Sequence, residues 1–188
     1  NAETGYIYGW SSGATLGIGN KVELATNLSF TKGRITYTDA DEHGTTVIDT
    51  LVPASHIPPL YGQTSLTFYG NKFKISAVVR YQGKKLLNDY GVASIVKQSD
   101  GTLLVEREGS EDNPESGWYT TDIEGNRNFT GTLAWTTWNL YSSWQLSKNY
   151  SLNFAVENIA DLHYRPFASG LSGAGRNFVV SLRAEFGG

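Results

Sequence analysis

Asn177-Phe178-Val179-Val180-Ser181-Leu182-Arg183-Ala184-Glu185-Phe186 is the stretch on which the fold turns. Phe178, Val180, Leu182, Ala184 and Phe186 form one series; Asn177, Ser181, Arg183 and Glu185 form most of the other. A period of two separates apolar from polar side chains only if the backbone is an extended strand. The same period recurs upstream. Tyr150, Leu152, Phe154 and Val156 oppose Ser151, Asn153, Ala155 and Glu157. Trp138, Leu140, Trp144 and Leu146 oppose Asn139, Tyr141, Ser143 and Gln145, and Phe73, Ile75, Ala77, Val79 and Tyr81 oppose Lys74, Ser76, Arg80 and Gln82. Val22, Leu24, Leu28 and Phe30 oppose Lys21, Glu23, Asn27 and Ser29. Tyr6, Tyr8, Trp10, Ala14, Leu16 and Ile18 share a side of the first segment, and a weaker strand near Tyr61–Gly70 carries Leu66 and Phe68.

These segments make seven strands, and the links between them alternate in length. Gly19-Asn20, Gly70-Asn71-Lys72 and Ser147-Lys148-Asn149 read as tight turns. The links from about Tyr37 to Leu60, Gln82 to Phe129 and Ile159 to Gly175 are long. Short turns at one end and long loops at the other are the pattern of an outer-membrane barrel, with the short turns facing the periplasm. Placing Phe186 at the periplasmic rim sets every strand direction. Phe68, Phe73, Trp144, Tyr150 and Phe186 then fall at the lower rim; Tyr6, Tyr8, Trp10, Phe30, Tyr81, Trp138 and Phe178 fall at the upper. An apolar band between two aromatic girdles is what a bilayer selects. A soluble antiparallel sandwich alternates as well, with its apolar face turned inward, and alternation alone does not say which face that is. Bacterial single-chain barrels use even strand numbers and must close, because an open edge in lipid leaves backbone groups unpaired, so seven strands with no closing partner read as part of a larger wall.

Composition narrows the function classes. The 188 residues hold 11 Tyr, 8 Phe, 5 Trp and 21 Gly, which favours strands over helices. No apolar run is long enough for a transmembrane helix. Cys is absent, which excludes disulfides and Cys-based sites. A formal net charge of −3 argues against nucleic acid as a partner. The chain lacks Met and begins with Asn1, so it reads as a processed or cut piece, with any export signal upstream.

Several segments resemble TonB-dependent receptors. Val156-Glu157-Asn158-Ile159-Ala160-Asp161-Leu162-His163-Tyr164 is similar to their V-E-N-L-F-D-x-x-Y segment. Gly175-Arg176-Asn177-Phe178 through Phe186 resembles their closing strand, P-G-R-x-F ending in an aromatic, with Ala174 in place of Pro. His56-Ile57-Pro58-Pro59-Leu60-Tyr61-Gly62 and Tyr164-Arg165-Pro166-Phe167-Ala168-Ser169-Gly170 are similar to a subgroup common in Bacteroidetes-type bacteria. The family's chains usually end on the terminal Phe, from which Gly187 and Gly188 depart.

What the resemblance implies is an all-β fold: an antiparallel up-and-down transmembrane barrel of ~22 strands with a plugged lumen. Residues 1–188 would be the C-terminal seven-strand portion, with the plug domain absent from this chain. The family imports scarce ligands such as ferric siderophores, haem or cobalamin, or else glycans and peptides, on energy relayed by the TonB transducer, which engages the missing N-terminal region. The resemblance further implies that Phe186 is part of the signal read by the barrel-assembly machinery; Phe186 also serves as a girdle residue. Arg80, Glu157 and Arg183 on the lumen face are candidates for charge-assisted contacts to the plug, against a lumen that is merely solvated. Trp118 and Tyr119 beside Glu111 and Asp112, together with Arg165 and Phe167, are loop candidates for ligand contact, against ordinary loop packing. The expected partners are outer-membrane lipid, the transducer, the assembly machinery and a small nutrient. No cofactor is expected.

Other motifs fail. Asp39-Ala40-Asp41-Glu42-His43-Gly44 begins like a calcium loop, but Thr50 stands where the bidentate Glu belongs. His43, His56 and His163 match no zinc spacing. Gly170-Leu171-Ser172-Gly173-Ala174 lacks the last Gly of a nucleophile elbow. No Ser/His/Asp or paired-carboxylate site assembles, so an enzyme is not expected. The alternative to an active-transport receptor is a passive pore or surface-adhesion barrel.

Overall fold

Twelve strands and no α-helix are present among the described residues of the computed structural model. Those residues are 4–40, 47–86, 89–97, 103–107, 119–121, 127–129, 131–169 and 171–186, with backbone alone described for 37–40, 47–50, 92–97, 103–107, 119–121 and 127–129. The strands are β1 (Gly5–Ile18), β2 (Val22–Ala40), β3 (Val47–Pro53), β4 (Tyr61–Tyr69), β5 (Phe73–Gln82), β6 (Val92–Lys97), β7 (Leu103–Arg107), β8 (Tyr119–Thr121), β9 (Arg127–Phe129), β10 (Trp135–Gln145), β11 (Tyr150–Glu157) and β12 (Asn177–Ala184). An 8-stranded sheet has the order β1-β2-β4-β5-β10-β11-β12, with β3 added beside β2. The strands along that path are the seven expected from the alternation. The pairs of registered partners from β2 through β12 are antiparallel, and β1 and β12 end the order without pairing to each other.

The long links depart from expectation. β2 runs on to Ala40 and pairs with β3 from Arg34↔Pro53 to Ala40↔Val47. The link after Gln82 holds two hairpins, β6–β7 and β8–β9, in place of plain loop. Val92–Lys97 and Leu103–Arg107 flank Asp100-Gly101, a dipeptide suited to a hairpin turn, so the local sequence carries its own pairing signal.

Two compact units divide the chain: Asn1–Trp10, Phe30–Leu60 and Gly83–Ala134 in the first, Ser11–Ser29, Tyr61–Gln82 and Trp135–Gly188 in the second. In the second, register carries the apolar series from strand to strand. Leu24, Leu66, Ala77, Leu140, Val156 and Phe178 form one row across six strands. Val22, Phe68, Ile75, Ser142, Phe154 and Val180 form the next. Aromatic rings meet at the short-turn end, with Phe73 4.9 Å from Trp144 and 5.8 Å from Phe68, and Tyr150 6.1 Å from Phe186. The turns are tight as expected. Gly19 takes a φ of 60°, which costs glycine nothing, and Leu146 N–H donates to Tyr150 O at 2.9 Å.

Exposure along this sheet is inverted relative to a water-soluble protein. Leu66 is 51% exposed while the adjacent Thr67 is 4%; Trp138 is 56% exposed between Thr137 at 2% and Asn139 at 4%. Thr67 and Ser76 hydroxyls bond each other at 2.9 Å, and Asn139 Nδ2 donates to Val78 O at 3.2 Å, whereas Gln82 Nε2 and Trp135 Nε1 are buried without a hydrogen-bond partner. Fully burying a Leu or Phe side chain gains about 1.5–3 kcal/mol over leaving it in water. A whole face of such side chains left out forfeits that gain in water and keeps it in lipid. This face is the one that the alternation left undecided.

In the first unit, Lys85 ties separate segments together. Its Nζ donates to Ser55 O at 2.6 Å and Ile57 O at 2.8 Å and stands 4.6 Å from the centre of the Tyr90 ring. Lys85 and Thr132 exchange backbone bonds, and the Tyr90 hydroxyl bonds the Thr132 hydroxyl. Burial raises the Tyr90 phenol above its ordinary pKa, while its bonds to Thr132 pull the other way.

Candidate functional site

The polar face of β4, β5, β10 and β11 builds the candidate site. Alternation places Arg80, Tyr141 and Glu157 on one side of three neighbouring strands, and register brings their side chains within reach. Arg80 Nη2 donates to the Tyr141 hydroxyl oxygen at 3.1 Å, and that hydroxyl donates to Glu157 Oε1 at 2.8 Å. Asn177 Nδ2 approaches Glu157 Oε2 at 3.4 Å. A phenol that accepts from a cation and donates to a carboxylate joins two opposite charges lying too far apart to pair directly. Nearer the short turns, Tyr69 OH donates to Glu23 Oε1 at 3.3 Å, and Lys74 Nζ lies 5.3 Å from the Tyr69 ring centre. The cavity over this face has a volume of about 630 Å3, with Glu23, Lys74, Arg80, Tyr141 and Glu157 among its walls.

Of the three lumen candidates, Arg80 and Glu157 are thus linked through Tyr141. Arg183 pairs instead with Glu185 at 2.9 Å, and both are well exposed. Tyr141 was not singled out from sequence. An aromatic ring on the polar side of an otherwise clean alternation was the available signal. Phe186 is exposed and follows the last strand.

The loop after β11 is held by its own residues. Asn158 is buried with a φ of 48°. Its Nδ2 donates to Leu162 O at 2.8 Å and Ala174 O at 3.0 Å, its Oδ1 accepts Leu162 N–H at 3.0 Å, and its own N–H reaches Asn139 Oδ1 at 2.9 Å. Asp161 Oδ1 accepts Arg176 N–H at 2.7 Å, and Arg176 Nε donates to Ile159 O at 2.9 Å. The Asn158 and Asp161 of the family-like segment therefore shape the loop. Arg165 Nε donates to Ser169 O at 2.6 Å, and Phe167 N–H donates to Gln82 Oε1 at 2.9 Å. Tyr164 lies 4.5 Å from Trp135, ring to ring. These contacts fold Tyr164–Phe167 back onto the polar face at the end of β5 and β10. Gln82, Trp135 and Tyr164 were likewise not anticipated. Glu111, Asp112 and Trp118 lie outside the described residues, as does the side chain of Tyr119; the Asp39–Gly44 segment falls largely outside them too. No group of three or more metal-ligating side chains occurs among the described residues.

No family model and no curated protein matches the chain. Solved structures do. The copper transporter OprC superposes over 97% of this chain with a TM-score of 0.63 at 13% identity. A mutant of the ferric enterobactin receptor PfeA from Pseudomonas aeruginosa superposes over 96% with a TM-score of 0.54 at 18% identity. A second PfeA mutant, in complex with enterobactin, covers 96% with a TM-score of 0.53 at 19% identity. The fold is that of a TonB-dependent receptor barrel. At these identities the likeness establishes fold alone. The chain spans about a quarter of the length of these proteins, 24% of OprC and 22% of PfeA. Its neighbours are transporters and receptors rather than enzymes.

Proposed function

We propose that the chain is the C-terminal part of the wall of an outer-membrane active-transport receptor in a bacterial cell. The single observation that carries this is the inverted exposure of the sheet, with Leu66 and Trp138 out and Thr67, Thr137 and Asn139 in. On this reading the plug and the transducer-binding segment belong to the protein outside residues 1–188, and the rest of a ~22-stranded barrel completes the wall. The Arg80–Tyr141–Glu157 chain then faces the plug and offers it both signs of charge. Phe186 serves the barrel-assembly machinery as well as the lower girdle. The long links face outside, where Trp118 and Tyr119 with Glu111 and Asp112 meet the nutrient. Arg165 and Phe167 add to that contact from a loop held by the Arg165 bond to Ser169 O and by the Phe167 N–H bond to Gln82. The neighbouring structures, a copper transporter and a ferric enterobactin receptor, favour a metal or a metal chelate as that nutrient.

The test uses the full-length protein in planar bilayers and in cells. A plugged receptor is expected to conduct little and to accumulate its nutrient only while the protonmotive force is maintained. A large steady conductance, with uptake indifferent to the protonmotive force, overturns the receptor reading in favour of a passive pore.

A further inference from the structure

A second cavity lies in the first unit, apart from the polar face. The β2–β4 ladder ends at Ser29↔Tyr61, and β3 takes over beside β2 only at Arg34↔Pro53. Between those points stands a cavity of about 290 Å3, walled in part by Tyr6 and Tyr8 of β1 and by Phe30, Lys32 and Arg34 of β2, with Lys84 from beyond β5. Tyr6, Tyr8, Phe30, Lys32 and Arg34 all belong to the apolar series of their strands. Ile7, between the two tyrosines on the other face, does not line it. Thr31, Gly33 and Ile57 close the cavity from the other series, so its aromatic and β2 cationic walls are the ones that belong to the apolar side.

Its chemistry is that of an anion site at a membrane interface. Tyr6 and Tyr8 stack at 6.2 Å and are 49% and 55% exposed, and Trp10 and Phe30 approach at 6.4 Å. Aromatic rings on a lipid-facing surface mark the level of the headgroups. Lys32 lies two residues beyond Phe30, roughly 7 Å along the strand. That is about the depth of one headgroup layer. Arg34 Nη1 donates to Leu51 O at 3.1 Å, which leaves the rest of its fork for another acceptor. Lys84 adds a third charge, and Lys85 is committed to Ser55 and Ile57 carbonyls. Against these cations the wall offers one carboxylate, Asp89, which accepts Leu86 N–H at 3.3 Å. Concentrating cations here runs against a chain whose net charge is −3. The volume sits at the lower edge of the roughly 300–1,000 Å3 typical of small-molecule sites, enough for a headgroup fragment.

We infer that this cavity binds the phosphate of an anionic lipid headgroup in the surrounding leaflet. Lys32, Arg34 and Lys84 neutralise the phosphate, and Tyr6 and Tyr8 pack against the part of the headgroup nearest the acyl chains. The inference rests on the membrane-wall reading. Its test is native mass spectrometry of the full-length protein, released from nanodiscs of phosphatidylcholine containing a phosphorylated glycolipid or its dephosphorylated counterpart. The wild type is expected to retain the phosphorylated lipid selectively. The Lys32→Gln, Arg34→Gln, Lys84→Gln triple variant is expected to lose about 100-fold in that affinity, at roughly fivefold per cation. A control with Lys72→Gln and Lys148→Gln, at the short turns, is expected to retain it. Normal insertion of the triple variant with undiminished lipid retention overturns the inference alone. Equal binding of inorganic phosphate by protein in neutral detergent, abolished by the same triple variant, overturns the lipid as the source. Failure to enter nanodiscs at all overturns the membrane reading and this inference with it.

Discussion

Leu182→Arg in the full-length protein is expected to lower the stability of the membrane-folded state by about 2–4 kcal/mol, the cost of an Arg on the lipid face near the bilayer midplane. Leu182 is 65% exposed and lies four residues from both Phe178 and Phe186, the aromatic limits of its strand. Four residues span roughly 13 Å, so each rim lies about half the height of an apolar band away. Its neighbour Arg183 is already an arginine, but it points to the other face and pairs with Glu185 at 2.9 Å. The same charge is therefore tolerated at one position and costly at the next. In a soluble sheet an exposed Leu→Arg change would fall within about 0.5 kcal/mol of neutral. Equilibrium folding into vesicles, titrated with denaturant, separates the two. Ser181→Arg, on the polar face beside it, is the matched control and is expected to cost little.

Asn158→Ala is expected to cost about 3–5 kcal/mol, a sum of lost bonds and backbone strain. The substitution removes the side-chain bonds to Leu162 N–H, Leu162 O and Ala174 O. It also leaves an alanine at a φ of 48° in a buried position. Asn158→Gly relieves the strain but restores no bond, so it is expected to recover about 1 kcal/mol of the loss. The loop from Ile159 to Gly175 should become protease-sensitive in both variants while the sheet persists. Protection equal to wild type in the alanine variant would mean that Asn158 does not organise the loop.

Much of the wall was legible because one face must serve one solvent. Phe73–Tyr81, Trp138–Leu146, Tyr150–Val156 and Phe178–Phe186 alternate with few exceptions, such as Val78, Tyr141, Ser142 and Val179, and their apolar series align in register across the sheet. Alternation is symmetric and does not say which way that face turns; loop asymmetry and the placement of the aromatics pointed it outward. The contrast between exposed Leu66 and buried Thr67 agrees with that direction. Strands inside the long links were missed because loop length was read as absence of structure, although Asp100-Gly101 between two apolar runs is a hairpin signal in itself. The polar chain was half legible. Arg80 and Glu157 stood out as charges on the inner series, but Tyr141 joins them only through pairing of β10 with both β5 and β11, 61 and 16 residues away in sequence. Arg165 and Phe167 were legible as candidates for ligand contact, but not the geometry that holds their loop. Their bonds to Ser169 and Gln82 depend on how the loop returns to the wall, which no local spacing encodes.

A nitroxide scan along β10 tests the placement of the two faces most directly. The chain has no Cys, so one introduced at each position from Thr136 to Gln145 is the sole thiol within it to label. With the full-length protein in lipid nanodiscs, labels at 136, 138, 140, 142 and 144 should be accessible to oxygen dissolved in the hydrocarbon, and labels at 137, 139, 141, 143 and 145 should be shielded from it. Oxygen accessibility with the opposite phase, or without a period of two, would contradict a lipid-facing apolar wall.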